Sequence, residues 1–115
     1  MHEYSIVQAL YDSVVAQAAA QRATVVHGLH VRIGELSGVD AGLLDTAWKT
    51  FRTGTICDRA PMAIEAVEAR WACHACGEQM PAGGPLRCRD CGGPLRLTQG
   101  DEIVLQRIVM EVPDV

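Results

Sequence analysis

Four of the five cysteines fall into two short echoing stretches, CHACG at 73–77 and CRDCG at 88–92. Cys73, Cys76, Cys88 and Cys91 thus form the pattern C-x2-C-x11-C-x2-C. Two pairs at this spacing bring four thiolates to one point, the tetrahedral all-sulfur set of a structural zinc site. Each second cysteine is followed by a glycine, Gly77 or Gly92. Glycine tolerates the backbone angles of a knuckle that turns N–H groups toward sulfur. The MPAGGPL stretch between the pairs cannot build a core. Metal binding must therefore supply the folding free energy, ~10–16 kcal/mol in small zinc peptides. Iron in a rubredoxin-like site uses the same thiolates and is the chemical competitor; disulfides or a redox CxxC account less well for the doubled spacing. Four protein ligands leave no open position, so this metal is structural and not catalytic.

The other end of the chain carries a second set of donors. The sequence opens MHEYS. The amine of Met1, the backbone nitrogen of His2 and its imidazole can close fused five- and six-membered chelate rings, and the Glu3 amide can complete a square plane. Such a nitrogen-rich tetragonal set suits Ni²⁺ or Cu²⁺. Histidine is bulky at position two, so Met1 should escape removal. Other candidate groups read as structural: His27 and His30 on opposite faces of a predicted strand, His74 as a solvated knuckle residue, and Cys57 as a small buried hydrophobe.

The elements that must position these groups follow from periodicity. Ser5 to Ala20 reads as an amphipathic helix with Ile6, Leu10, Val14 and Ala18 on one stripe, Ser5 as N-cap, and the four preceding residues exposed. From Thr24 to Gly34 the period changes to two, with Val25, Leu29, Val31 and Ile33 on one face and Val26, His30 and Arg32 on the other. A second helix is expected from Asp40, its N-cap, to about Thr53, with Leu43, Leu44, Ala47, Trp48 and Phe51 buried and Gly54 as the stop. A strand from Ala63 to Ala72, containing a bulge or buried on both faces, and a closing strand in DEIVLQRIVMEV (101–112) complete the order. This order predicts an α+β fold, two helices packed on a small sheet of about three strands, with an inserted zinc-ribbon-like lobe. The lobe spans 73–97, and the discontinuous α+β unit takes 1–72 and 98–115.

Composition narrows the function classes. The chain has 115 residues, is 49% hydrophobic and carries a formal charge of -4, which four thiolates and one Zn²⁺ would take to about −6. An acidic chain with five aromatic residues lacks the electrostatic footprint of a nucleic-acid binder. No signal-peptide pattern and no window of ~20 apolar residues is present, so a cytoplasmic location is expected, where clustered cysteines hold metal. No P-loop, nucleophile–base constellation or open-site zinc motif points to an enzyme.

MHEYS, VRIGELSGVD (31–40), AWKTFRTGT (47–55), the two CxxCG knuckles and QGDEIVLQRI (99–108) together resemble the HypA/HybF family of [NiFe]-hydrogenase maturation proteins. The resemblance covers nearly the whole chain, in order. It implies a nickel metallochaperone that binds Ni²⁺ through Met1, His2 and Glu3 as transferred cargo and holds structural Zn²⁺ in Cys73, Cys76, Cys88 and Cys91. It further implies work with a HypB-type GTPase to load the large subunit of [NiFe]-hydrogenase, without nucleic acid, membrane or catalysis of its own. The competing reading is a zinc-ribbon adaptor binding nucleic acid or transcription machinery, for which the knuckle region offers Arg87, Arg89 and Arg96.

Overall fold

A computed structural model describes residues 2–81, 84 and 86–113, leaving out the side chains of His2 and Pro81. Among them run α1 (His2–Gln21), β1 (Val25–Gly34), α2 (Ala41–Phe51), β2 (Met62–Val67), β3 (Arg70–Cys73), β4 (Gln79–Pro81), β5 (Leu95–Gln99) and β6 (Ile103–Glu111). The strands form two sheets, ordered β2-β1-β6 and β4-β3-β5. The two helices pack on the first sheet, confirming the α+β class with its cysteine-bearing insertion. The Cα radius of gyration is 18.1 Å, against about 13 Å for a compact chain of this length, so the two sheets lie along an extended molecule.

The helix α1 starts at His2, not after Ser5. Nothing in residues 2–5 breaks a helix, and tertiary packing rewards the extra turn: Glu3 and Tyr4 line a groove against Leu43, Thr46, Ala47 and Thr50 of α2. Glu3 is accordingly half-buried, and its carboxylate favours the positive end of the helix dipole. At the other end Arg22 adopts φ 57°. There the Ala23 and Arg22 N–H groups donate to the carbonyls of Ala18 and Ala19 at 2.8 and 3.1 Å, a Schellman closure.

Asp40 caps α2 as expected, its side chain accepting the Leu43 N–H at 2.9 Å. Leu43 itself is 57% exposed, correcting its place in the buried stripe. The stripe that faces the sheet is Leu44, Ala47 and Trp48, and Leu43 lies about 100° off it, toward the groove beside Tyr4. The Trp48 indole N–H donates to the Ala60 carbonyl at 2.7 Å, satisfying the one polar atom of a side chain with no exposure.

Strict alternation fails in β1. Val26 is buried together with Leu29, Val31 and Ile33. The cause is a bulge at His27, where the antiparallel register with β6 slips by one residue. A second slip near Gln106 of β6 restores it, so the two bulges cancel. β1 pairs with β2 in parallel, His30 beside Ala63 and Arg32 beside Glu65.

The long strand expected at 63–72 is two strands in two sheets, interrupted at Glu68 and Ala69. Three backbone segments cross there. A Cβ on Gly34 would overlap the Gly100 carbonyl, and one on Gly100 would press into Ala69 backbone. The crossing is bonded: Leu36 N–H to Gly100 O at 2.7 Å, Glu35 N–H to Val67 O at 2.9 Å, and Gln99 Nε2 to Glu68 O at 2.9 Å. No side chain fits between segments this close, so the strand must break to pass from one sheet to the other.

Candidate metal centre

Cys73 ends β3, Cys76 closes the following turn, and Cys88 and Cys91 flank a second turn before β5. The two turns are alike but not identical, the sulfur-facing N–H lying three residues on in the first and two in the second. Cys76 and Asp90 N–H groups each point at the sulfur of the knuckle's first cysteine, Cys73 or Cys88, at 3.4 Å. Gly77 and Gly92 follow with φ of 78° and 72°, and donate back to the carbonyls of Cys73 and Cys88 at 3.0 and 2.9 Å. Any Cβ at Gly93 would stand 3.2 Å from both the Cys73 and Cys91 sulfurs, so glycine keeps the space beside them clear.

The four Sγ atoms lie within 4.8 Å of one another. Cys73 and Cys91 sulfurs are 3.4 Å apart, and those of Cys76 and Cys88 are 3.6 Å apart. Zinc–sulfur bonds of about 2.3 Å place tetrahedral sulfurs about 3.8 Å from each other. The donors therefore fit a four-coordinate thiophilic metal ion such as zinc, with little movement. All five cysteines are free thiols, which removes the disulfide reading.

The thiols of this cluster are not equivalent. N–H donation from Cys76 leads the causes that hold Cys73 down to about 6. Cys76 receives the Glu78 N–H, which lowers it, but sharing protons with Cys88 and Cys73 outweighs this and pushes it up to about 12. Cys91 is likewise lowered by the Gly93 N–H and raised, in net, beside the Cys73 thiol. One thiolate, Cys73, thus forms readily, while Cys76 and Cys91 keep their protons until a cation competes for them.

The remaining sequence candidates are dispersed. Cys57 is buried in the helix–sheet core, and desolvation raises its thiol against the lowering charge of Arg52, the pattern of an inert cysteine. His74 is exposed. His27 stands 3.6 Å from Glu111, and His30 Nε2 is 3.0 Å from Arg107 Nη2; pairing with β6 side chains was not foreseeable without the register. At the N-terminus, His2 and Glu3 occupy the first turn of α1, while Met1 and the His2 side chain lie outside the described residues.

The family model described as "Hydrogenase/urease nickel incorporation, metallochaperone, hypA" matches residues 1–110. The hydrogenase maturation factor HypA of Wolinella succinogenes is 36% identical over 117 residues, covering 99% of this chain and 98% of its own. That of Nitrosospira multiformis is 37% identical over 110 residues, covering 94% and 96%. The solution structure of the Ni metallochaperone HypA from Helicobacter pylori superposes with a TM-score of 0.74 at 27% identity, covering 96% of this chain and 98% of that one. A second HypA solution structure superposes with a TM-score of 0.79 at 29% identity, covering 96% of each chain.

Proposed function

Because the chain belongs to the HypA family of nickel-incorporation metallochaperones, we propose that it binds Ni²⁺ at its N-terminus and delivers it during [NiFe]-hydrogenase maturation. The amine of Met1, the backbone nitrogens of His2 and Glu3 and the His2 imidazole supply the donors. A HypB-type GTPase assists, and the hydrogenase large subunit receives the metal. Cys73, Cys76, Cys88 and Cys91 hold one structural Zn²⁺. The inserted lobe expected at 73–97, extended by β3 and β5 to Arg70 and Gln99, is the zinc unit, and the chain on either side of it is the nickel unit. The protein carries metal and catalyses nothing, and it works in the cytoplasm, where a free-thiol cluster stays reduced.

The observation that carries the reading is the pairing, in one chain of this family, of a converged four-sulfur cluster with a His2-bearing terminus. The cluster suits permanent occupancy. The terminus suits exchange, since its donors sit at the start of a helix. Helical N–H groups run parallel to the axis, whereas a square plane needs nitrogens converging on one point, so nickel binding must open the first turn of α1. A helix start has no intrahelical carbonyl for its first N–H, so ligation by the His2 amide displaces no bond of the helix.

Lengthening the chain by one glycine ahead of Met1 tests this. Every side chain is kept, but the amine leaves its ring position. Nickel titration followed by ligand-field absorption should show loss of the square-planar signal and weaker binding, as should His2→Ala, with zinc content unchanged. Equal affinity and the same spectrum in the lengthened protein would place the nickel elsewhere.

A further inference from the structure

The cluster that fits a metal is also built to close on itself. Its four sulfurs lie within 4.8 Å of one another, and none is bonded to another. Four cysteines can pair in three ways, and the structure separates them. The sulfur–sulfur hydrogen bonds run between the knuckles, Cys73 to Cys91 at 3.4 Å and Cys76 to Cys88 at 3.6 Å. Within each knuckle the first sulfur is faced instead by a backbone N–H, that of Cys76 or of Asp90. Exposure divides the cysteines as well. Cys73 and Cys88 are buried, whereas Cys76 and Cys91 are exposed. Each hydrogen-bonded pair therefore joins a sulfur that solvent reaches to one that it does not.

We infer that the four cysteines are a redox modification site, at which a peroxide converts the cluster to two disulfides, Cys73–Cys91 and Cys76–Cys88, and expels the metal. The inference rests on the zinc reading of the cluster. The exposed Cys91 thiolate attacks one oxygen of hydrogen peroxide; the O–O bond breaks, hydroxide leaves, and Cys91 becomes a sulfenic acid. The buried Cys73 thiolate then attacks that sulfur, so the S–S bond forms as the S–O bond breaks and a second hydroxide leaves. Both hydroxides take protons from solvent. Each pair of cysteines thus loses two electrons, and one hydrogen peroxide ends as two waters. Cys76 and Cys88 repeat the sequence. A sulfur in a disulfide is no longer a thiolate, the form that ligates zinc.

The other two pairings fit less well. Linking Cys73 to Cys88 would start from an oxidant at one of two buried sulfurs. Links within the knuckles would displace the N–H groups that now face sulfur, and would leave the two turns unconnected. The favoured pairs have only to close from 3.4 and 3.6 Å to a bond of about 2.05 Å. Space for this exists beside the first pair, since a Cβ at Gly93 would stand 3.2 Å from the sulfurs of both Cys73 and Cys91. Both links tie one knuckle to the other, as the metal does. They hold the lobe together when the metal has gone.

Hydrogen peroxide treatment of the full-length, zinc-loaded chain tests the inference. Zinc content before treatment tests the zinc reading by itself, and the disulfide map after treatment tests the pairing whatever that content is. Trypsin cuts after Arg70, Arg87, Arg89 and Arg96, which leaves Cys73 and Cys76 on one peptide and Cys88 and Cys91 on two others. The expected map joins all three peptides, and fragmentation between Cys73 and Cys76 assigns Cys91 to Cys73. One zinc per chain should be released and four thiols lost, with the buried Cys57 thiol retained. The Trp71 indole signal should keep its native position, and dithiothreitol with added zinc should restore the metal content. An internal link in the peptide holding Cys73 and Cys76 overturns the inference, as does a Cys73–Cys88 link. So do sulfinic or sulfonic acids formed in place of disulfides, or a Trp71 signal that moves to the unfolded position on oxidation.

Discussion

Removing the metal from the four-cysteine cluster should unfold one lobe and spare the other, and the two tryptophans report on them separately. Among the described residues, the apolar cluster of the lobe built on β3, β4 and β5 has three buried members, Cys73, Met80 and Cys88, with Trp71 and Leu95 packed against them. Two of the three buried residues are proposed ligands. Full burial of Met80 contributes ~1.5–3 kcal/mol, and Trp71 and Leu95 are only partly covered. A structural zinc contributes ~10–16 kcal/mol, several times what this cluster buries. The helix–sheet unit instead has fourteen buried residues in one contiguous core, from Val7 to Met62. Chelation, or Cys88→Ala, should therefore disorder the lobe at 25 °C and leave the helices and first sheet folded. The assay is the indole N–H region of a ¹⁵N-labelled spectrum. Trp71, in β3, should move to the position of an unfolded tryptophan. Trp48, bonded to the Ala60 carbonyl and unexposed, should keep its shift and its slow exchange. If both signals move together, or if Trp71 stays in place after the zinc is demonstrably gone, the lobe does not depend on metal in the way its thin core requires.

Two further outcomes follow from the geometry. At pH 7.5 Cys73, at about 6, is already mostly ionised, whereas Cys76, at about 12, and Cys91, raised above its ordinary value, are protonated. Zinc binding should release at least the two protons of Cys76 and Cys91, and its affinity should fall at least about a hundredfold per pH unit of acidification, read by calorimetry in buffers of different ionisation enthalpy; no proton release would contradict the assignment. Gly34→Ala should destabilise the fold by ~1–3 kcal/mol or more, because its Cβ has to displace the Gly100 backbone. Gly28→Ala, whose Cβ meets only the Pro61 carbonyl at an ordinary 3.6 Å, should be neutral or slightly stabilising in the same urea titration.

Much of the molecule was legible wherever one residue decided one local event. Asp40 announced the start of α2, and paired CxxCG motifs announced a cluster whose sulfurs converge as spacing required. What could not be read was decided by contacts between distant segments. The first turn of α1 looked like a tail, because its partners, Leu43 and Thr46 to Thr50, lie forty residues on. Leu43 looked buried because helical period alone does not reveal which side of a stripe the neighbouring helix leaves open. Val26 looked out of phase because a bulge changes phase without a sequence mark as plain as glycine or proline at that residue. His27 carries the bulge, and only the β6 register shows it.

The break between β2 and β3 shows the same limit in a form that bears on function. Residues 62–73 contain no glycine or proline to divide them, and alanines (Ala66, Ala69, Ala72) continue across the gap. The dividing force lies elsewhere, in Gly34 and Gly100, whose missing side chains let three backbones touch at Ala69. That crossing ties a lobe with little core of its own to a unit with a full one, through main-chain bonds that depend on neither metal. On the proposed reading, each metal then acts on its own structure. Zinc loss melts strands beyond Ala69, nickel opens a turn at the far start of α1, and the bonded crossing keeps either event from unravelling the other.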